Sequence, residues 1–375
     1  MLQTLLLTVV LAAPQEPAEI NALIEKLGDP SFKVREAAEE RLLEIGAEAL
    51  DYVKAGIMHD DAEISTRCHR IYPEIRNRNL ELLLDRFVVN VNNNAGDIPG
   101  ASEFLKIVGD SKANRELYKS MFKKHELILS SLGNEDQNLR AFTDLAMSLR
   151  SVNQLGRPIN NINNATDDDL HTYFFLGSIT TKNRETAAGN YQFHYPLLSS
   201  PLLAELTKSE SFNKLFVGWL KNERYSTLLN RGFAVAVQYK ITGAKDAALH
   251  IVNDKNVRLA YIKSYALSGF ARLATKEDLP KLDPLLQDKS ILTNIRINNI
   301  NGQVQVRDVA LGAAMIIMGQ NPNDFGYPRK LPNLSPTSTL SYTYFVMESD
   351  EKRDEALKKW QQWLKDNDKK QPEKK

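Results

Sequence analysis

Four residues in the middle of the chain carry side chains that could transfer a proton: Asp168, His171, His194 and Tyr195. Carboxylate and imidazole groups serve as general acids and bases when one pocket gathers them and perturbs their pKa values. The pattern supports one hypothesis, an enzyme of unspecified reaction with its site in the irregular region 150–240. That hypothesis predicts a deep pocket that joins these residues.

An acidic run at 167–169 ends a polar segment, 160–169, that is rich in asparagine. Calcium prefers carboxylate and carbonyl oxygens, so a calcium loop is one interpretation of the run. However, no glycine holds the turn position of such a loop, and no glutamate closes it. The run is more typical of a solvated helix N-terminus, where carboxylates interact favourably with the helix dipole.

The motifs of the common enzyme classes are absent from the sequence. It has no G-x-x-x-x-G-K-[ST] loop, no G-x-G-x-x-G fingerprint after a strand and no G-x-S-x-G elbow. His125 and Glu126 lack the second histidine of a zinc-protease helix. No histidine pairs with cysteine or carboxylate at a strong metal spacing, and His59 and His69 are expected at surface or cap positions. The sequence therefore predicts no catalytic residue, no cofactor and no metal ligand.

The one cysteine, Cys68, excludes an intramolecular disulfide, and its apolar neighbours predict a small buried core residue. Two aromatic runs could line a groove, but such runs more often fill gaps between helix layers: Tyr191, Phe193, His194 and Tyr195, and Tyr342, Tyr344 and Phe345. Without interleaved lysine or arginine they make a poor stacking platform for nucleic acid.

The charge of the chain is balanced, with 48 Lys+Arg, 47 Asp+Glu and a formal net charge of +1. No global field attracts nucleic acid or an acidic membrane, so we expect no nucleic-acid partner.

Residues 1–13 read as a short signal peptide, with an apolar core at 5–12 and small residues, Val10 and Ala12, before a cleavage site at Ala13. A frayed apolar N-terminus is the alternative, because the segment has no lysine or arginine. It is too short to span a bilayer, and no cysteine follows for a lipid anchor. We therefore expect a periplasmic or secreted protein without a stable membrane anchor.

Apolar residues recur at helical spacing along the chain, so we expect helices to position the candidate residues. The stripe Val34, Ala38, Leu42 and Ile45 returns thirty residues later as Ile64, Cys68, Tyr72 and Ile75, and again as Val306, Ala310, Ala314 and Ile317. Spacings of i, i+4, i+8 and i+11 mark one face of a helix, and a helical unit that recurs is typical of stacked-helix repeat proteins. Pro73 predicts a kink or an early end in the second helix of the repeat.

One segment resembles the motif of the HEAT-repeat family: the turn residues Asp29 and Pro30, followed by Val34 and Arg35 in the next helix. Partial copies occur at 257–260 and 306–310. The resemblance implies an armadillo-like α-solenoid in which the turn aspartate and the arginine six residues later form a ladder. Asp29 and Arg35 fit this ladder. In the second repeat, Ser65 stands where the ladder arginine is expected. Asp61 and Arg67 keep the six-residue spacing of the ladder at a shifted position.

Several parts of the chain are similar to a group of exported bacterial HEAT-like proteins: segments 104–110, 115–117, 306–311 and 319–326, with Trp360 and Trp363. This resemblance implies architecture and export, and no activity comes with it.

The predicted fold class is all-α, an α-solenoid of stacked HEAT-like helical hairpins with an irregular helical middle region. Its predicted divisions are a signal peptide at 1–13, N-terminal repeats at 19–80, a divergent helical region at 81–244, C-terminal repeats at 245–330, an extended segment and capping helix at 331–364, and a disordered tail at 365–375. The C-terminal repeats include an outer helix through 279–286 and a polar insertion at 288–302.

The leading functional hypothesis is a non-enzymatic, exported and monomeric α-solenoid that binds or scaffolds another protein. Repeat stacks present long curved surfaces, and insertions between their helices often carry function. The candidate contact regions are the loops 90–100, 158–169 and 288–303. Deletion of 288–303 is expected to leave the helices intact and to weaken partner capture.

Overall fold

A computed structural model describes residues 17–90, 95–149, 165–181, 191–257, 260–297, 300–332 and 340–368. Most of them are helical, as the all-α class predicts. The chain divides into two compact units, Met1–Ile98 and Pro99–Lys375. The predicted signal peptide and the loop residues 91–94 and 158–164 lie outside the described residues.

The first unit contains the two predicted helical pairs. Its helices are α1 (Pro17–Lys26), α2 (Phe32–Ile45), α3 (Leu50–Gly56) and α4 (Ala62–Val88), with a 3-10 turn at Gly46–Ala49. The repeated stripe builds its core, since Ala38, Leu42, Ile64, Cys68 and Ile75 are all buried. A Cβ added to Gly56 would lie 2.5 Å from the sulfur of Cys68, so α3 and α4 are in close contact there.

The early end predicted at Pro73 is wrong, because α4 continues through this residue to Val88. Pro73 is exposed, while Ile71, Ile75 and Leu84 are buried. Burial of that apolar stripe outweighs the loss of one backbone N–H at the proline. The boundary predicted between residues 80 and 81 falls inside this helix.

The second unit is a longer helical array. Its helices are α5 (Ala101–Val108), α6 (Lys112–Lys124), α7 (Glu126–Ser130), α8 (Glu135–Ser148), α9 (Asp167–Ile179), α10 (Tyr191–His194), α11 (Leu203–Leu206), α12 (Glu210–Asn222), α13 (Ser226–Gln238), α14 (Ala244–Asn253), α15 (Ala260–Leu273), α16 (Val306–Ile317) and α17 (Asp350–Asp368). Helix α9 packs against α6, α8 and α12, while α15 packs against α13, α14 and α16.

Helix α9 forms the centre of the first half of this unit. Every residue from Asp169 to Gly177 is buried, and a helix that is apolar on all sides must lie inside the fold. A Cβ on Gly177 would lie 2.4 Å from the Trp219 ring, so the glycine allows α12 to approach. The apolar run 173–177 is therefore part of a buried helix.

Helix α12 returns to the beginning of the unit. The Ser211 hydroxyl donates to the side-chain oxygen of Asn114, 97 residues earlier, at 2.7 Å. The Lys214 ammonium donates to the carbonyl of Val108, 106 residues earlier, at 3.2 Å. These bonds fix α12 against the ends of α5 and α6.

The outer α-helix predicted through 279–286 is wrong. The outer helix consists of two 3-10 segments, Lys276–Leu282 and Leu285–Gln287. Pro280 and Pro284 explain this, because each lacks the N–H that a regular α-helix requires. The polar insertion is a β-hairpin, so the fold is not purely α.

The C-terminal segment carries the predicted cap helix. Ser349 accepts a hydrogen bond from the backbone N–H of Lys352 at 3.3 Å, which starts α17 at Asp350. Trp360 stacks on Trp363 at 5.1 Å between ring centroids. The tail was predicted to begin at 365, but the helix continues to Asp368, and 369–375 lie outside the described residues. Of the helices that the structure describes, none has the length and apolar character to cross a membrane.

Candidate binding surface

The predicted contact region 288–303 folds as an antiparallel hairpin of β1 (Ile291–Ile297) and β2 (Ile300–Gln305). Ile295 and Val304 are buried beneath it, while Asn294 and Arg296 are exposed on the opposite face. The alternation of β-branched and polar residues accounts for this division, since neighbouring side chains in a strand point to opposite faces. The outer face is thus polar, and Asn294 lies opposite Gln303.

A backbone bridge fixes the hairpin to the C-terminal segment. The N–H of Gln303 donates to the carbonyl of Met347, and the N–H of Met347 donates to the carbonyl of Gln303, both at 2.9 Å. A Cβ on Gly302 would lie 2.3 Å from the Met347 carbonyl oxygen, so this approach requires glycine. The segment before α17 is therefore joined to β2 by a single antiparallel bridge at Met347.

Arg353 on α17 also binds this part of the hairpin. Its Nε donates to both carboxylate oxygens of Asp308, at 2.9 and 3.1 Å, and its Nη2 donates to the carbonyl of Gln303 at 3.0 Å. Arg353 is 6% exposed and Asp308 is 3% exposed. Burial raises the pKa of Asp308, and the Arg353 guanidinium opposes that rise. The hairpin is thus attached to α16 and α17 through buried charges.

A cleft of about 600 Å³ lies over the polar face of the hairpin. Its walls comprise carboxamides and a short acidic segment: Asn294, Asn301, Gly302, Gln303, Gln305, Met347, Glu348, Ser349, Asp350, Glu351 and Arg353. A carboxamide offers two donors and one acceptor, so these side chains can bind either type of hydrogen-bonding group. We call Asn294, Asn301 and Gln303 the carboxamide face.

Several polar groups in the cleft are already engaged, and one of them belongs to the carboxamide face, since the side-chain oxygen of Gln303 accepts from the Gln305 amide at 3.2 Å. The Gln305 side-chain oxygen accepts from Arg307 at 2.7 Å, and Asp350 accepts from Arg307 at 2.6 Å and from Arg353 at 3.0 Å. Hydrogen bonding by Arg353 lowers the pKa of Asp350, which stays ionised at neutral pH. By contrast, the exposed amides of Asn294 and Asn301 are open to a partner.

The structure gives the four proton-transfer candidates separate surroundings. Asp168 accepts from the Ser120 hydroxyl at 2.7 Å, and the His171 ring contacts the carbonyl of Asp167 at 2.8 Å. The ring of His194 bonds to the Tyr173 hydroxyl at 3.1 Å. Burial lowers the pKa of His171, which keeps this ring neutral at pH 7.

The cleft at the hairpin includes none of these four residues. His171 packs edge-on against Phe212 at 5.2 Å, and His194 stacks on Phe142 at 4.8 Å. Tyr195 is 39% exposed. These contacts are those of satisfied core histidines and a surface tyrosine.

The acidic run at 167–169 does begin a helix, but its last carboxylate is not solvated. Asp169 is 2% exposed and accepts hydrogen bonds from His125 and Lys124, both at 2.8 Å. Burial would raise the pKa of Asp169, but these bonds and one from the Thr166 backbone outweigh it and hold the pKa well below its usual range. No local pattern reveals this cluster, because its members lie more than forty residues apart in the sequence.

The carboxylate ladder that the family resemblance implies is not formed as expected. Arg35 donates to the backbone carbonyl of Asp29 at 2.7 Å, while the Asp29 carboxylate accepts from the backbone of Ser31. Asp61 caps α4 through the N–H groups of Glu63 and Ile64. The shifted Asp61–Arg67 pair is therefore wrong.

Arg67 instead binds three glutamates: Glu36 at 2.8 Å, Glu39 at 2.8 Å and Glu63 at 2.7 Å. The first two lie on α2, so this network joins the repeated helices across their charged side.

The remaining predicted features lie within the core. Cys68 is fully buried, and burial raises the pKa of its thiol to about 11. The second aromatic run fills gaps, with Tyr342 against Tyr265 at 6.1 Å and Phe345 against Tyr327 at 6.0 Å. Within the described ranges, no group of three or more histidine, cysteine or acidic side chains is placed to hold a metal ion.

No family model matches the chain, and a search of curated proteins finds no significant match.

Proposed function

We propose that the protein is an exported, monomeric, non-enzymatic α-solenoid of HEAT-like hairpins that binds another protein through the carboxamide face of its β-hairpin. The observation that carries the proposal is a polar hairpin face that is held rigidly yet left open. The buried underside, the bridge to Met347 and the ion pair between Arg353 and Asp308 hold it in one geometry.

Such a surface suits a protein partner because it is preorganised and rich in hydrogen-bonding groups. A rigid surface loses little conformational freedom on binding, so more of the contact energy appears as affinity. Protein interfaces carry about one hydrogen bond per 100–200 Å² of buried surface, and the exposed amides of Asn294 and Asn301 can supply several of them. The balanced charge of +1 favours a protein over nucleic acid.

The experiment uses the full chain with a C-terminal tag, expressed in its native host and recovered after cross-linking. A photo-reactive residue at Asn301 should capture a specific protein. The double substitution Asn294→Ala and Asn301→Ala should abolish the capture of the same protein by a cross-linker placed at Gln303. The exposed pair Asn253→Ala and Asn256→Ala, on and just after α14, is the matched control.

Capture that survives the double substitution would reject the carboxamide face as the binding surface. Deletion of 288–303 is unsuitable as a test, since it would remove buried Ile295 and the carbonyl of Asp288 that accepts from the Arg307 backbone. Sequencing of the mature N-terminus tests export separately: cleavage near Ala13 supports it, and an intact Met1 contradicts it. Light scattering on the purified chain tests the monomer.

A further inference from the structure

A second cavity lies on another side of the second unit, between α5, α12 and the turn that leads into α14. Its volume is about 550 Å³, within the range of roughly 300–1,000 Å³ that is usual for small-molecule sites. Ile107, Val217, Gly218 and Ile241 give it an apolar floor. The carboxamide face lies outside this cavity.

A buried acceptor in its wall is unsatisfied. Asn213 lines the cavity, and its side-chain nitrogen donates to the carbonyl of Thr207 at 2.9 Å. That bond fixes the amide orientation, because the reversed amide would place its oxygen against the Thr207 carbonyl. The Asn213 Oδ1 atom is then buried without a hydrogen-bond donor among the described residues. Leaving such an acceptor unmet costs about 1–3 kcal/mol, and a ligand N–H or O–H would remove that cost.

The charges around the cavity leave an excess of cations. Lys214 pairs with Glu210 at 2.8 Å, and this pair lowers the pKa of Glu210. Asp246 lies 3.9 Å from Lys281, which is outside the cavity.

Lys221 and Lys240 also line the cavity, and neither lies within ion-pair distance of a carboxylate in the described part of the chain. They can therefore receive an anionic group.

We propose that this cavity binds a small elongated organic acid, with a carboxylate at one end, an apolar chain, and a hydroxyl or N–H donor at the other end. The carboxylate contacts Lys221 and Lys240, and the chain covers the apolar floor. The donor reaches Asn213 Oδ1 through a small movement of the Asn213 side chain on binding, because this atom is closed to water in the unliganded chain. Asn213 and Lys221 are eight residues apart on α12, which places their Cα atoms about 12 Å apart along the helix axis. The two polar ends of the ligand are accordingly separated by a chain of comparable length.

Three probes of nearly equal size test each part of this description. The first is ω-hydroxydecanoate, which carries both polar ends. Decanoate lacks the donor, and a decanediol with a hydroxyl at each end lacks the anion. Affinities are measured by titration calorimetry on the full chain, and the site is located by NMR of labelled isoleucine and valine methyl groups.

We expect ω-hydroxydecanoate to bind most tightly and to shift the methyl signals of Ile107, Val217 and Ile241. Decanoate should bind about fivefold more weakly, which corresponds to one neutral hydrogen bond. The substitution Lys221→Gln should weaken binding of the hydroxy acid about threefold, and adding Lys240→Gln about tenfold in total, as for partly exposed ion pairs. Neither change should alter binding of the diol.

The control Lys255→Gln makes the same change of charge at an exposed residue outside the cavity and should have no effect. Because Lys221 and Lys240 form no ion pair in the described structure, their substitution is not expected to unfold the protein, and circular dichroism checks this. Failure of all three probes to bind at millimolar concentration would overturn the proposal. So would methyl shifts elsewhere, or equal weakening of the acid and the diol by the lysine substitutions.

Discussion

Replacement of Arg353 by methionine is expected to lower the free energy of unfolding of the second unit by about 3 kcal/mol. Methionine keeps an apolar stem but removes the guanidinium that binds both carboxylate oxygens of Asp308. Loss of one partner from a buried ion pair costs about 3–5 kcal/mol, because the other charge remains buried. Asp308 keeps its hydrogen bond from the Gln305 backbone at 2.8 Å, which places the expected loss at the lower end.

The loss should depend on pH, and the direction follows from the pKa of Asp308. Burial already raises this pKa, and removal of Arg353 removes the main opposing interaction. A carboxyl group whose folded pKa lies above its unfolded value of about 3.9 binds a proton more tightly in the folded state. Stability from this group is therefore fully present below the unfolded pKa and falls as pH rises towards the folded pKa. The difference between Arg353→Met and the unsubstituted chain should shrink from pH 7 to pH 5.

Urea unfolding followed by tryptophan fluorescence measures this difference, because all three tryptophans, Trp219, Trp360 and Trp363, belong to the second unit. The double variant Asp308→Asn with Arg353→Met should recover much of the stability, since no buried charge is then left alone. A loss below about 1 kcal/mol, or one that is equal at pH 5 and pH 7, would refute the reasoning on the buried pair.

Three further outcomes are expected. The substitution Gly312→Ala should destabilise the second unit by about 1–3 kcal/mol in urea unfolding, because the new Cβ would lie 2.2 Å from the Phe345 ring. In the same unit, Gly243→Ala meets its nearest atom, on Val217, at 3.3 Å and should cost less, and equal effects would contradict this packing. The substitution Asp169→Asn should cost about 2 kcal/mol at pH 7 by weakening charge-assisted hydrogen bonds. The pKa of Asp169 is lowered in the folded state, so its contribution to the free energy of unfolding is present above the unfolded pKa of about 3.9 and is lost as pH falls through the folded pKa. The stabilities of the variant and the unsubstituted protein should therefore become equal in acid. A difference that stays constant with pH would argue against the lowered pKa. Finally, Cys68 should react with a thiol reagent roughly a hundredfold more slowly in the native protein than in guanidinium, and rapid native reaction would show that the thiol is accessible.

Local periodicity was enough to predict the repeated helices of the first unit, although not the full length of α4. Leu42 and Cys68 fall on apolar stripes that each helix must bury, so the helices and their core follow from spacing alone. The start of α17 was also predictable, because a serine before two acidic residues is a strong N-cap signal.

The hairpin had a sequence signal that polar composition concealed. Ile291, Thr293, Ile295 and Ile297 alternate with other residues, and the two asparagines at 298–299 separate them from the next run. Alternating β-branched residues on both sides of a two-residue asparagine link are typical of a hairpin. Reading the segment only as a polar insertion between helices missed that period.

The buried charge clusters could not be predicted in this way. Asp308 and Arg353 are 45 residues apart, and nothing in either local sequence selects the other as its partner. Their pairing depends on how α17 packs against α16, which is a property of tertiary structure. The same limit applies to Asp169 and His125.

The bond between Ser211 and Asn114 has a consequence for synthesis on the ribosome. In a regular repeat array each unit contacts only its neighbours, so the first repeats can fold while later ones are still being made. Here the partner of Asn114 is translated 97 residues later, a delay of about 5–20 seconds at common elongation rates. The apolar side of α5 must wait for α12 during that interval, when the nascent chain is most exposed to aggregation and to chaperones.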